Sequence, residues 1–499
     1  MKMNMTPRTK KLLAGLTAAA LTLSMLPATA LAAKDYATGG ETALRFSNSG
    51  ITVQEGDYDG YKIDGTELTI NAAGTYVLSG SCADGSVTVK KGTTGVVLVL
   101  DGLTLTCGDS AAIACNKSTE VTIVAADGTV NTLSDTEQNN DETYPDNDSA
   151  ENAVIKCKDG SQVTLCGSGT LNVTANGKNG VKSGATTDEE GAASLTISAG
   201  DDALHCDLSL TVGASGTAGP DIDITGCYEG IEAANLAIRS GDIDITATDD
   251  CLNAANSDLT GYSFTMDISG STINAYTSGG DGFDSNGSLT ISGGVIAVWT
   301  ANTADNQPLD ADGTITVSGG TVLAAGGSSG MGMNLSASQP YVLYGSTGGM
   351  GGGRGQGQQS ALAAKGSTLT IQDASGNSVY SAAAPCNVNF AFFSSPKLTL
   401  GSGYENGCFG PNDPVTREQL AAILYRYAQY RGLDVSQTGS IGGFADNSSV
   451  SGYARTAMAW ANGAGLISGM GDNTLAPRGT ATRGQAAVIL MGLDKLAGL

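Results

Sequence analysis

The sequence is poor in positive charge and in aromatic side chains. Only 25 Lys and Arg residues and a single His oppose 49 Asp and Glu residues in 499 residues, for a formal net charge of −24. Such a chain repels nucleic acid, so we expect no nucleic-acid partner and predict that cations, or ligands held through cations, bind instead. Aromatic residues make up 5% of the chain, whereas Gly accounts for 71 residues. This composition favours many short strands joined by tight turns.

Long apolar runs are also missing. The longest one, "LLAGLTAAALTLSML", lies near the N-terminus and is short for a transmembrane helix. It follows a basic segment and precedes "ATALAA", which offers cleavage sites near Ala30 or Ala32. The sequence therefore predicts a signal peptide over residues 1–33, a secreted protein and no transmembrane segment.

A motif recurs along the chain at intervals of 21 to 42 residues. A large apolar residue, here called an anchor, is followed two positions later by a small residue, as in Ile231 and Ala233. Short alternating strands and Gly-containing turns separate the motifs. Strand-type repeats of this length are typical of a solenoid, so we predict an all-β parallel β-helix over residues 34–402. The anchors are Ile113, Ile155, Val181, Leu204, Ile231, Leu252, Phe283 and Leu309.

Ten cysteines in a secreted chain would ordinarily suggest disulfides. Several of them, however, occupy the small position two residues after an anchor, as Cys115, Cys157 and Cys206 do. Residues two apart on a strand face the same side, so these cysteines are interpreted as small, buried hydrophobic residues. A disulfide between neighbouring repeats, such as Cys115 with Cys157, remains the alternative. Free thiols would imply a reducing or anaerobic habitat.

Acidic residues recur at fixed positions around the anchors. Equivalent positions on stacked strands lie about 4.8 Å apart, so unneutralised carboxylates there repel one another. Ca²⁺ accepts several carboxylate oxygens in a loose geometry and would remove the repulsion. The alternative is that they are solvated turn residues. The predicted Ca²⁺ ligands are Asp201, Asp202, Glu229, Glu232, Asp249, Asp250, Asp281 and Asp284, with Asp310 and Asp312 in the same pool.

Several ordered blocks resemble a known family. They include "ELTINAAGTYVLSGSCADGSVTV" (67–89), "VVLVLDGLTLTC" (96–107), "CYEGIEA" and "DDCLNAA", and the resemblance covers roughly residues 45–400. The blocks are similar to the bacterial carbohydrate-binding β-helix family of clostridia. The resemblance implies a right-handed, pectate-lyase-like β-helix that binds polygalacturonate or related acidic polysaccharide and carries Ca²⁺. The Gly/Gln-rich stretch at 345–361 is predicted to be a flexible loop within it.

Basic residues are few, and three of them share one position after an anchor. Lys156, Lys182 and His205 occupy that position, and Arg239 is the only Lys or Arg between Lys182 and Arg354. These four residues are the predicted polysaccharide-binding residues. Resemblance to β-helix lyases, which use Ca²⁺ with an Arg or Lys base, leaves proton abstraction from a uronate by Lys156 or Lys182 as an alternative. A salt-bridged exterior face is the other interpretation.

The pattern changes after about residue 403. Segments 414–432, 453–467 and 481–496 show helical apolar spacing, so residues 403–499 are predicted to form a small all-α region. "CFGPNDPVTREQLAAILYRYA" and "FADNSSVSGYARTAMAWANGAGLISGMG" resemble S-layer homology repeats, with a half repeat at 409–432 and a full one at 444–493. The resemblance implies binding to a secondary cell-wall polymer of Gram-positive bacteria. Its implied binding residues are Thr416, Arg417, Glu418, Thr482 and Arg483.

Together these features predict a non-catalytic, secreted, extracellular carbohydrate-binding protein. It would be held on a Gram-positive cell wall by its S-layer homology repeats while it binds a polygalacturonate- or pectin-like polysaccharide, with Ca²⁺ as a structural or bridging ion. Two alternatives stay open at this point. One is a Ca²⁺-dependent uronate lyase, and the other is a structural or adhesive surface protein without a sugar ligand.

Overall fold

The computed structural model describes residues 22–25, 40–183, 194–301, 306–327, 334–344, 362–372, 376–398 and 415–497. The predicted flexible loop at 345–361, most of the predicted signal peptide and the start of the half repeat at 409–432 lie outside these ranges. The chain divides into two compact units, Met1–Thr399 and Leu400–Leu499. None of the helices among the described residues has the length and hydropathy needed to cross a membrane.

The strands of the first unit are short and follow one another closely. In chain order they are β1 (Thr22–Met25), β2 (Gly40–Ser47), β3 (Gly50–Glu55), β4 (Tyr61–Asp64), β5 (Glu67–Ile70), β6 (Gly74–Cys82), β7 (Ser86–Val89), β8 (Val96–Cys107), β9 (Ile113–Cys115), β10 (Glu120–Ala125), β11 (Val130–Asp135), β12 (Ala153–Cys157), β13 (Gln162–Gly167), β14 (Thr170–Ala175), β15 (Asn179–Ser183), β16 (Ser194–Ala199) and β17 (Leu204–Val212).

The same unit continues with β18 (Asp221–Cys227), β19 (Ile231–Ile238), β20 (Asp242–Ala247), β21 (Leu252–Ala254), β22 (Thr265–Ile268), β23 (Thr272–Thr277), β24 (Phe283–Ser285), β25 (Ser288–Ile291), β26 (Val295–Thr300), β27 (Ile315–Val317), β28 (Thr321–Gly326), β29 (Leu335–Ala337), β30 (Tyr341–Tyr344), β31 (Thr368–Gln372), β32 (Ser378–Ala383) and β33 (Phe390–Ser394).

Strands of successive repeats pair in parallel and in register. Each anchor lies directly beside the next one on strands β9, β12, β15, β17, β19, β21 and β24. Leu309 continues the series through a single parallel bridge to Phe283. All eight anchors have 0% of their surface exposed, and they belong to one continuous hydrophobic core. The repeat in the sequence therefore corresponds to side chains stacked in the core.

Two further series of strands complete the parallel pairing. One runs through β11, β14, β16, β18, β20, β23, β26 and β28, and the other through β19, β22, β25 and β27. In β18 and β20 buried Ile alternates with exposed Asp or Thr. This period of two places one face in the core and the other in solvent.

The closed, right-handed, pectate-lyase-like β-helix predicted from the sequence is wrong. The described strands form one 31-stranded sheet of mixed, largely parallel pairing and one two-stranded antiparallel sheet, β31 with β32, and no closed solenoid is found among them. Antiparallel pairs join β2 to β3 and β4 to β5, and join β33 to both β28 and β30. The repeat predicts parallel neighbours because it aligns equivalent side chains, but the anchor motif is absent from these antiparallel segments and says nothing about closure.

A glycine precedes the anchors Val181, Ile231 and Phe283, where the backbone of the next repeat lies against it. A Cβ added at Gly230 would lie 2.3 Å from the carbonyl oxygen of Cys251, and one at Gly282 would lie 2.3 Å from the oxygen of Pro308. Contacts this short cannot form without movement of the backbone. The backbones of successive repeats therefore meet closely beside the anchors, and this packing brings the neighbouring polar residues together.

The cysteines behave as the sequence pattern indicated. Among the described residues nine cysteines are present, and all of them are buried and none forms a disulfide with another described cysteine. Cys157 lies in register between Cys115 and Ser183 on neighbouring strands. Cys115, Cys157 and Cys206 occupy the small inward position beside the anchors and belong to the hydrophobic core as compact apolar residues.

The second unit is helical, as predicted. It contains α1 (Arg417–Tyr430), α2 (Arg455–Gly463) and α3 (Arg483–Ala497), with short 3₁₀ turns at Ile441–Gly443, Asn447–Ser449 and Gly452–Ala454. Its own core centres on the fully buried Trp460, whose ring contacts Tyr425 edge-on at 5.5 Å between centroids. Thr416 caps α1 through a capping box with Gln419, which explains why the helix begins there.

Candidate functional site

The position after each anchor from Ile155 to Leu309 forms a line of polar side chains across neighbouring strands. Strand register places its members side by side, so that basic residues occupy one end and carboxylates the other. Neighbouring members are separated by one strand spacing, about 4.8 Å. We call this line the charged stripe, and its members in order are Lys156, Lys182, His205, Glu232, Asn253, Asp284 and, through the bridge at Leu309, Asp310.

Three carboxylates converge at the acidic end of the charged stripe. One oxygen from each of Asp281, Asp284 and Asp310 lies within 4.8 Å of the other two. Backbone contacts hold the group in place, because Gln307 N donates to Asp281 Oδ1 at 2.5 Å and Asp281 N donates to Asp250 Oδ1 at 2.7 Å. These three oxygens could share one cation.

Burial makes this end unfavourable for negative charge. Burial, followed by the nearby carboxylates, raises the pKa of Asp250 to about 8, that of Asp281 to about 7 and that of Asp284 to about 6. The hydrogen bonds from the backbone only partly oppose these shifts. A cation bound among these groups would restore their charged forms.

A buried oxygen beside the acidic end has no hydrogen-bond partner among the described groups. Gln307 is 2% exposed, and its Oε1 accepts no hydrogen bond. Buried polar atoms are paired in the great majority of cases, so an unpaired amide oxygen next to a carboxylate group is unusual. Amide oxygens are common Ca²⁺ ligands. The residue types present therefore fit a Ca²⁺ ion.

The middle of the charged stripe contains the only His of the chain, surrounded by carboxylates. His205 Nδ1 lies 2.8 Å from Asp202 Oδ2 and 2.5 Å from Glu232 Oε2, while Nε2 lies 3.2 Å from Asp207 Oδ1. Burial lowers the pKa of His205, but its hydrogen bonds to the three carboxylates outweigh burial and raise it to about 11. Without a metal, this His carries a positive charge at neutral pH.

Glu229 and Asn253 lie against this cluster. Burial, then the charges of Glu232 and Asp202, raises the pKa of Glu229 to about 8. Asn253 Nδ2 donates to Glu229 Oε2 at 3.1 Å, whereas the buried Asn253 Oδ1 has no partner among the described groups. Glu229 thus borders the His cluster, and Asn253 separates that cluster from the acidic end.

The basic end consists of two lysines in register. Lys156 pairs with Lys182 across β12 and β15, and Lys182 pairs with His205 across β15 and β17. Burial, and next to it the charge of Lys182, lowers the pKa of Lys156. Although burial raises the pKa of Asp207, its hydrogen bond to His205 and the two lysine charges hold it below its usual value. This end can receive an anionic group.

Other predicted site residues lie apart from these clusters or have protein partners. Asp201 faces Lys178, whose Nζ lies 3.6 Å from Asp201 Oδ2. Asp249 accepts a hydrogen bond from the Tyr228 hydroxyl, and this hydrogen bond raises the pKa of Tyr228 to about 12. Arg239 follows the last residue of β19, seven positions beyond Glu232, which places it at most about 23 Å away along the chain.

Sequence patterns missed several residues of the site. Asp207 could have been found, because it lies two positions after His205 and so faces the same side of β17. Lys178 lies three positions before the anchor Val181, as Asp201 does before Leu204, but it was missed because it is the basic residue in that series. Gln307 lies two positions before Leu309, as Asp281 does before Phe283, so the repeat could have found it, but its amide differs from the carboxylates of the series.

A second cleft lies elsewhere in the first unit and was not predicted. Its volume is about 770 Å³. Its walls carry hydroxyl groups and four carboxylates and contain no Lys, Arg or aromatic residue. The acidic residues are Glu67, Asp84, Asp109 and Glu137. Because this lining repels anions, the cleft does not suit an acidic polysaccharide.

In the helical unit the predicted polymer-binding residues mainly support the fold. Arg417 Nε donates to Leu475 O at 2.8 Å and its Nη2 donates to Ser468 O at 3.0 Å. The Glu418 carboxylate accepts from Ser451 N at 2.9 Å and Ser451 Oγ at 2.7 Å. Arg417 also borders a cleft of about 340 Å³. It is therefore both a structural residue and part of a cleft wall.

The second copy of this motif begins α3. Thr482 Oγ1 accepts from Gln485 N at 3.2 Å, while Thr482 N donates to Gln485 Oε1 at 3.1 Å. This reciprocal pair matches the capping of α1 by Thr416. Gln485 also lines the 340 Å³ cleft. The backbone of Arg483 starts the helix, and its side chain lies outside the described residues.

Comparison with known proteins identifies both units. Residues 64–330 match the family described as carbohydrate-binding domain-containing protein, and residues 402–421 and 443–487 match the S-layer homology domain. A carbohydrate-binding domain-containing protein of Acetivibrio thermocellus is 37% identical over 130 residues, which are 26% of this chain and 44% of that protein. An amylopullulanase of Thermoanaerobacterium thermosulfurigenes is 40% identical over 92 residues, 18% of this chain and 5% of the enzyme.

A solved structure also matches, that of the polysaccharide lyase-like protein from C. thermocellum in a gadolinium derivative. It is 24% identical, covers 60% of this chain and 94% of its own, and has a TM-score of 0.34. The chain spans less than half the length of the two curated relatives named above. S-layer homology domains imply attachment to the cell envelope. Because the first family match covers more than half of the chain, the protein belongs to the carbohydrate-binding domain-containing protein family and carries an S-layer homology domain as well.

Proposed function

We propose that the protein binds an acidic, polygalacturonate-like polysaccharide along the charged stripe, with Ca²⁺ at the acidic end, while the helical unit attaches it to the cell wall outside the cell. The observation that carries this proposal is the order of charges in the stripe. Two lysines and a charged His lie on neighbouring strands, and they are followed by Glu232, Asn253 and the group of Asp281, Asp284 and Asp310.

The basic end would bind uronate carboxylates directly. Lys156 and Lys182 stand on neighbouring strands, about 4.8 Å apart, and both are partly exposed. A uronate residue offers hydroxyls and one carboxylate to a lysine ammonium group, and hydrogen bonds between charged groups are stronger than neutral ones. The two lysines would each hold a carboxylate or hydroxyl of the chain.

The acidic end would bind the same polysaccharide through Ca²⁺. Three converging carboxylates and an unpaired buried amide oxygen supply part of the six to eight oxygen ligands that Ca²⁺ takes. The remaining ligands would come from water and from carboxylates of the polysaccharide. A bridging ion of this kind allows an acidic surface to hold an acidic polymer, which direct contact would not.

The helical unit would supply the attachment. Its 340 Å³ cleft is bordered by Arg417, Gly484 and Gln485. Arg417 is one of the residues that line the cleft, and an Arg beside a cleft suits a carboxylate of a secondary cell-wall polymer. Thr416, Glu418 and Thr482 would then support this cleft through the helix caps and the Ser451 contacts, and Arg483 is a further proposed polymer-binding residue.

The direct test is to mix the mature protein with polygalacturonate in Ca²⁺ or in EDTA and to measure both co-sedimentation and the absorbance of unsaturated uronates. We expect co-sedimentation in Ca²⁺, a marked loss of it in EDTA, and no increase in absorbance. Absence of co-sedimentation under both conditions would contradict the proposal and leave a structural role.

One variant tests the basic end of the charged stripe. A hydrogen bond to a charged group contributes about 1.5–3 kcal/mol, so Lys182→Gln should weaken binding about tenfold or more. Lys62→Gln removes the same charge from an exposed residue that pairs with Asp64, and it should bind like the unchanged protein. Equal affinities for both variants would show that the basic end does not contact the polysaccharide.

A uronate lyase is the second candidate, and one observation favours it. Burial and the charge of Lys182 lower the pKa of Lys156, and a lysine with a lowered pKa is better suited to accept a proton. Growing absorbance in the same mixture would support this function. Loss of that absorbance in Lys156→Gln would then identify the base.

A further inference from the structure

We propose that Asp202, His205 and Glu232 form a binding site for a divalent transition-metal ion, of which Zn²⁺ is the natural probe. This site is separate from the oxygen-only Ca²⁺ site at Asp281, Asp284 and Asp310. It goes beyond the proposed glycan binding, since it does not require any sugar.

The geometry of the imidazole supports this assignment. His205 Nδ1 approaches two carboxylate oxygens at once, at 2.8 Å and 2.5 Å, and ligand atoms from all three residues lie within 4.8 Å of one another. A ring nitrogen carries at most one hydrogen, so it cannot make two full hydrogen bonds. A metal ion between the three atoms would satisfy all of them.

The donor set selects a class of metal. One imidazole nitrogen with two carboxylates is a set that Zn²⁺ and related first-row ions accept, with a remaining position for water. Ca²⁺ prefers oxygen ligands alone. The His-containing cluster and the all-oxygen cluster therefore differ in the ion they should select, although they lie on the same stripe.

The opposite ring nitrogen has the partner that metal-bound His residues usually have. His205 Nε2 lies 3.2 Å from Asp207 Oδ1. With Nε2 protonated and donating to Asp207, the lone pair of Nδ1 points toward Asp202 and Glu232. A carboxylate in this role orients the ring and strengthens the nitrogen as a ligand.

The surroundings give a second, independent observation that is compatible with a bound ion. Asn253 is paired in register with Glu232 and is only 8% exposed, yet its Oδ1 has no partner among the described groups. Its Nδ2 is engaged by Glu229, which adds a fourth carboxylate to Asp202, Asp207 and Glu232. One proton on His205 leaves this group strongly negative, whereas a divalent ion compensates two charges.

Backbone contacts position the three residues of the proposed site. His205 and Glu232 lie opposite each other on β17 and β19, and Asp202 N donates to Asn179 Oδ1 at 3.2 Å just before β17 begins. The side chains of Asp202, His205 and Glu232 are 9%, 16% and 17% exposed. The site is therefore formed by packed strands and is open enough for an ion to enter.

The test uses the single imidazole of the chain. In the mature, untagged protein labelled with ¹⁵N-His, Zn²⁺ at about one equivalent should shift the Nδ1 resonance strongly, and Ca²⁺ should not. Only one His is present, so the assignment is unambiguous. Zn²⁺ should also raise the melting temperature. Asp207→Asn should weaken Zn²⁺ binding about 10-fold or more.

Variants separate this site from the Ca²⁺ site. His205→Gln and Glu232→Gln should abolish the stabilisation by Zn²⁺ and keep the stabilisation by Ca²⁺. Asp284→Asn should abolish the stabilisation by Ca²⁺ and keep the stabilisation by Zn²⁺. An imidazole resonance that stays at its protonated position with excess Zn²⁺ would overturn the proposal and show that a proton fills the site. A Zn²⁺ effect that persists in His205→Gln would also overturn it. If Zn²⁺ raises the melting temperature and Ca²⁺ does not, the result would contradict only the Ca²⁺ part of the proposed glycan binding.

Discussion

At the scale of single residues, one position in the repeat decides the chemistry of the surface. Anchors such as Ile231 point into the core, and the residue after each anchor points away from it, so Glu232 and Asn253 come together on neighbouring strands. The strand register that stacks the anchors in the core also brings carboxylates on neighbouring strands close together. Burial, and after it the neighbouring carboxylates, raises the pKa values of Glu229, Asp250, Asp281 and Asp284.

These pKa values predict how stability depends on pH. The folded pKa values of Glu229 and Asp250 are about 8, that of Asp281 about 7 and that of Asp284 about 6, all above the usual value of about 4 in unfolded chains. The folded protein therefore holds protons that the unfolded chain has released, and its stability falls as the pH rises from about 4 to about 8. The melting temperature in EDTA should be lower at pH 8 than at pH 5.

Ca²⁺ should reverse much of this trend. The ion competes with the protons, so it should raise the melting temperature more at pH 8 than at pH 5. A melting temperature in EDTA that rises between pH 5 and pH 8 would contradict the account of crowded, buried carboxylates.

Arg417 gives a second prediction at this scale. Its guanidinium donates to the carbonyl oxygens of Leu475 and Ser468, so Arg417→Ala leaves two acceptors without their charged donor. We expect the helical unit to lose about 2–4 kcal/mol of stability. The exposed Arg478 provides the control, and Arg478→Ala should change stability little. Equal unfolding curves at 222 nm by circular dichroism would show that Arg417 has no structural role.

At the scale of strands and helices, close contact between repeats determines which residues are tolerated. Gly230 has no room for a Cβ, which would lie 2.3 Å from Cys251 O and 2.8 Å from Ile245 Cγ2, whereas a Cβ at Gly226 meets nothing within 4 Å. Gly230→Ala should therefore destabilise the first unit by about 1–3 kcal/mol. Gly226→Ala should be nearly neutral. Denaturant unfolding of both variants checks this, and similar midpoints would be inconsistent with tight packing beside the anchors.

Much of the element structure could be predicted from the sequence. The repeated anchors predicted which strands lie side by side, because a buried residue must face a buried residue in the next strand. Helical spacing after residue 403 likewise predicted α1, α2 and α3. Closure into a β-helix was predicted wrongly, since antiparallel pairs such as β2 with β3 and β28 with β33 depend on segments outside the repeat.

The site was only partly predictable. Lys182, His205 and Glu232 were predicted to lie in one line because they share one repeated position. Lys178 and Gln307 also occupy repeated positions, three before Val181 and two before Leu309, but they were missed because they differ in residue type from the carboxylates of their series. A repeat pattern predicts which residues lie side by side, and it does not predict which unlike side chains pair or which polar atom is left without a partner.

At the scale of the whole molecule, the two units carry separate tasks. The first belongs to a carbohydrate-binding family and presents the charged stripe, while the second carries the S-layer homology domain that implies envelope attachment. Their combination in one chain supports display of a polysaccharide-binding surface on the cell. The proposed use of Ca²⁺ reconciles a formal net charge of −24 with an acidic ligand.

The affinity of the mature protein for polygalacturonate, measured as a function of Ca²⁺ concentration, tests this account most directly. Asp284→Asn, at the acidic end, should weaken the binding in Ca²⁺ about tenfold or more, and Asp258→Asn, an exposed carboxylate outside the charged stripe, should leave it unchanged. We predict that affinity rises with Ca²⁺ in the unchanged protein and that EDTA removes this rise. Affinity that is independent of Ca²⁺, or equal in both variants, would contradict the central claim.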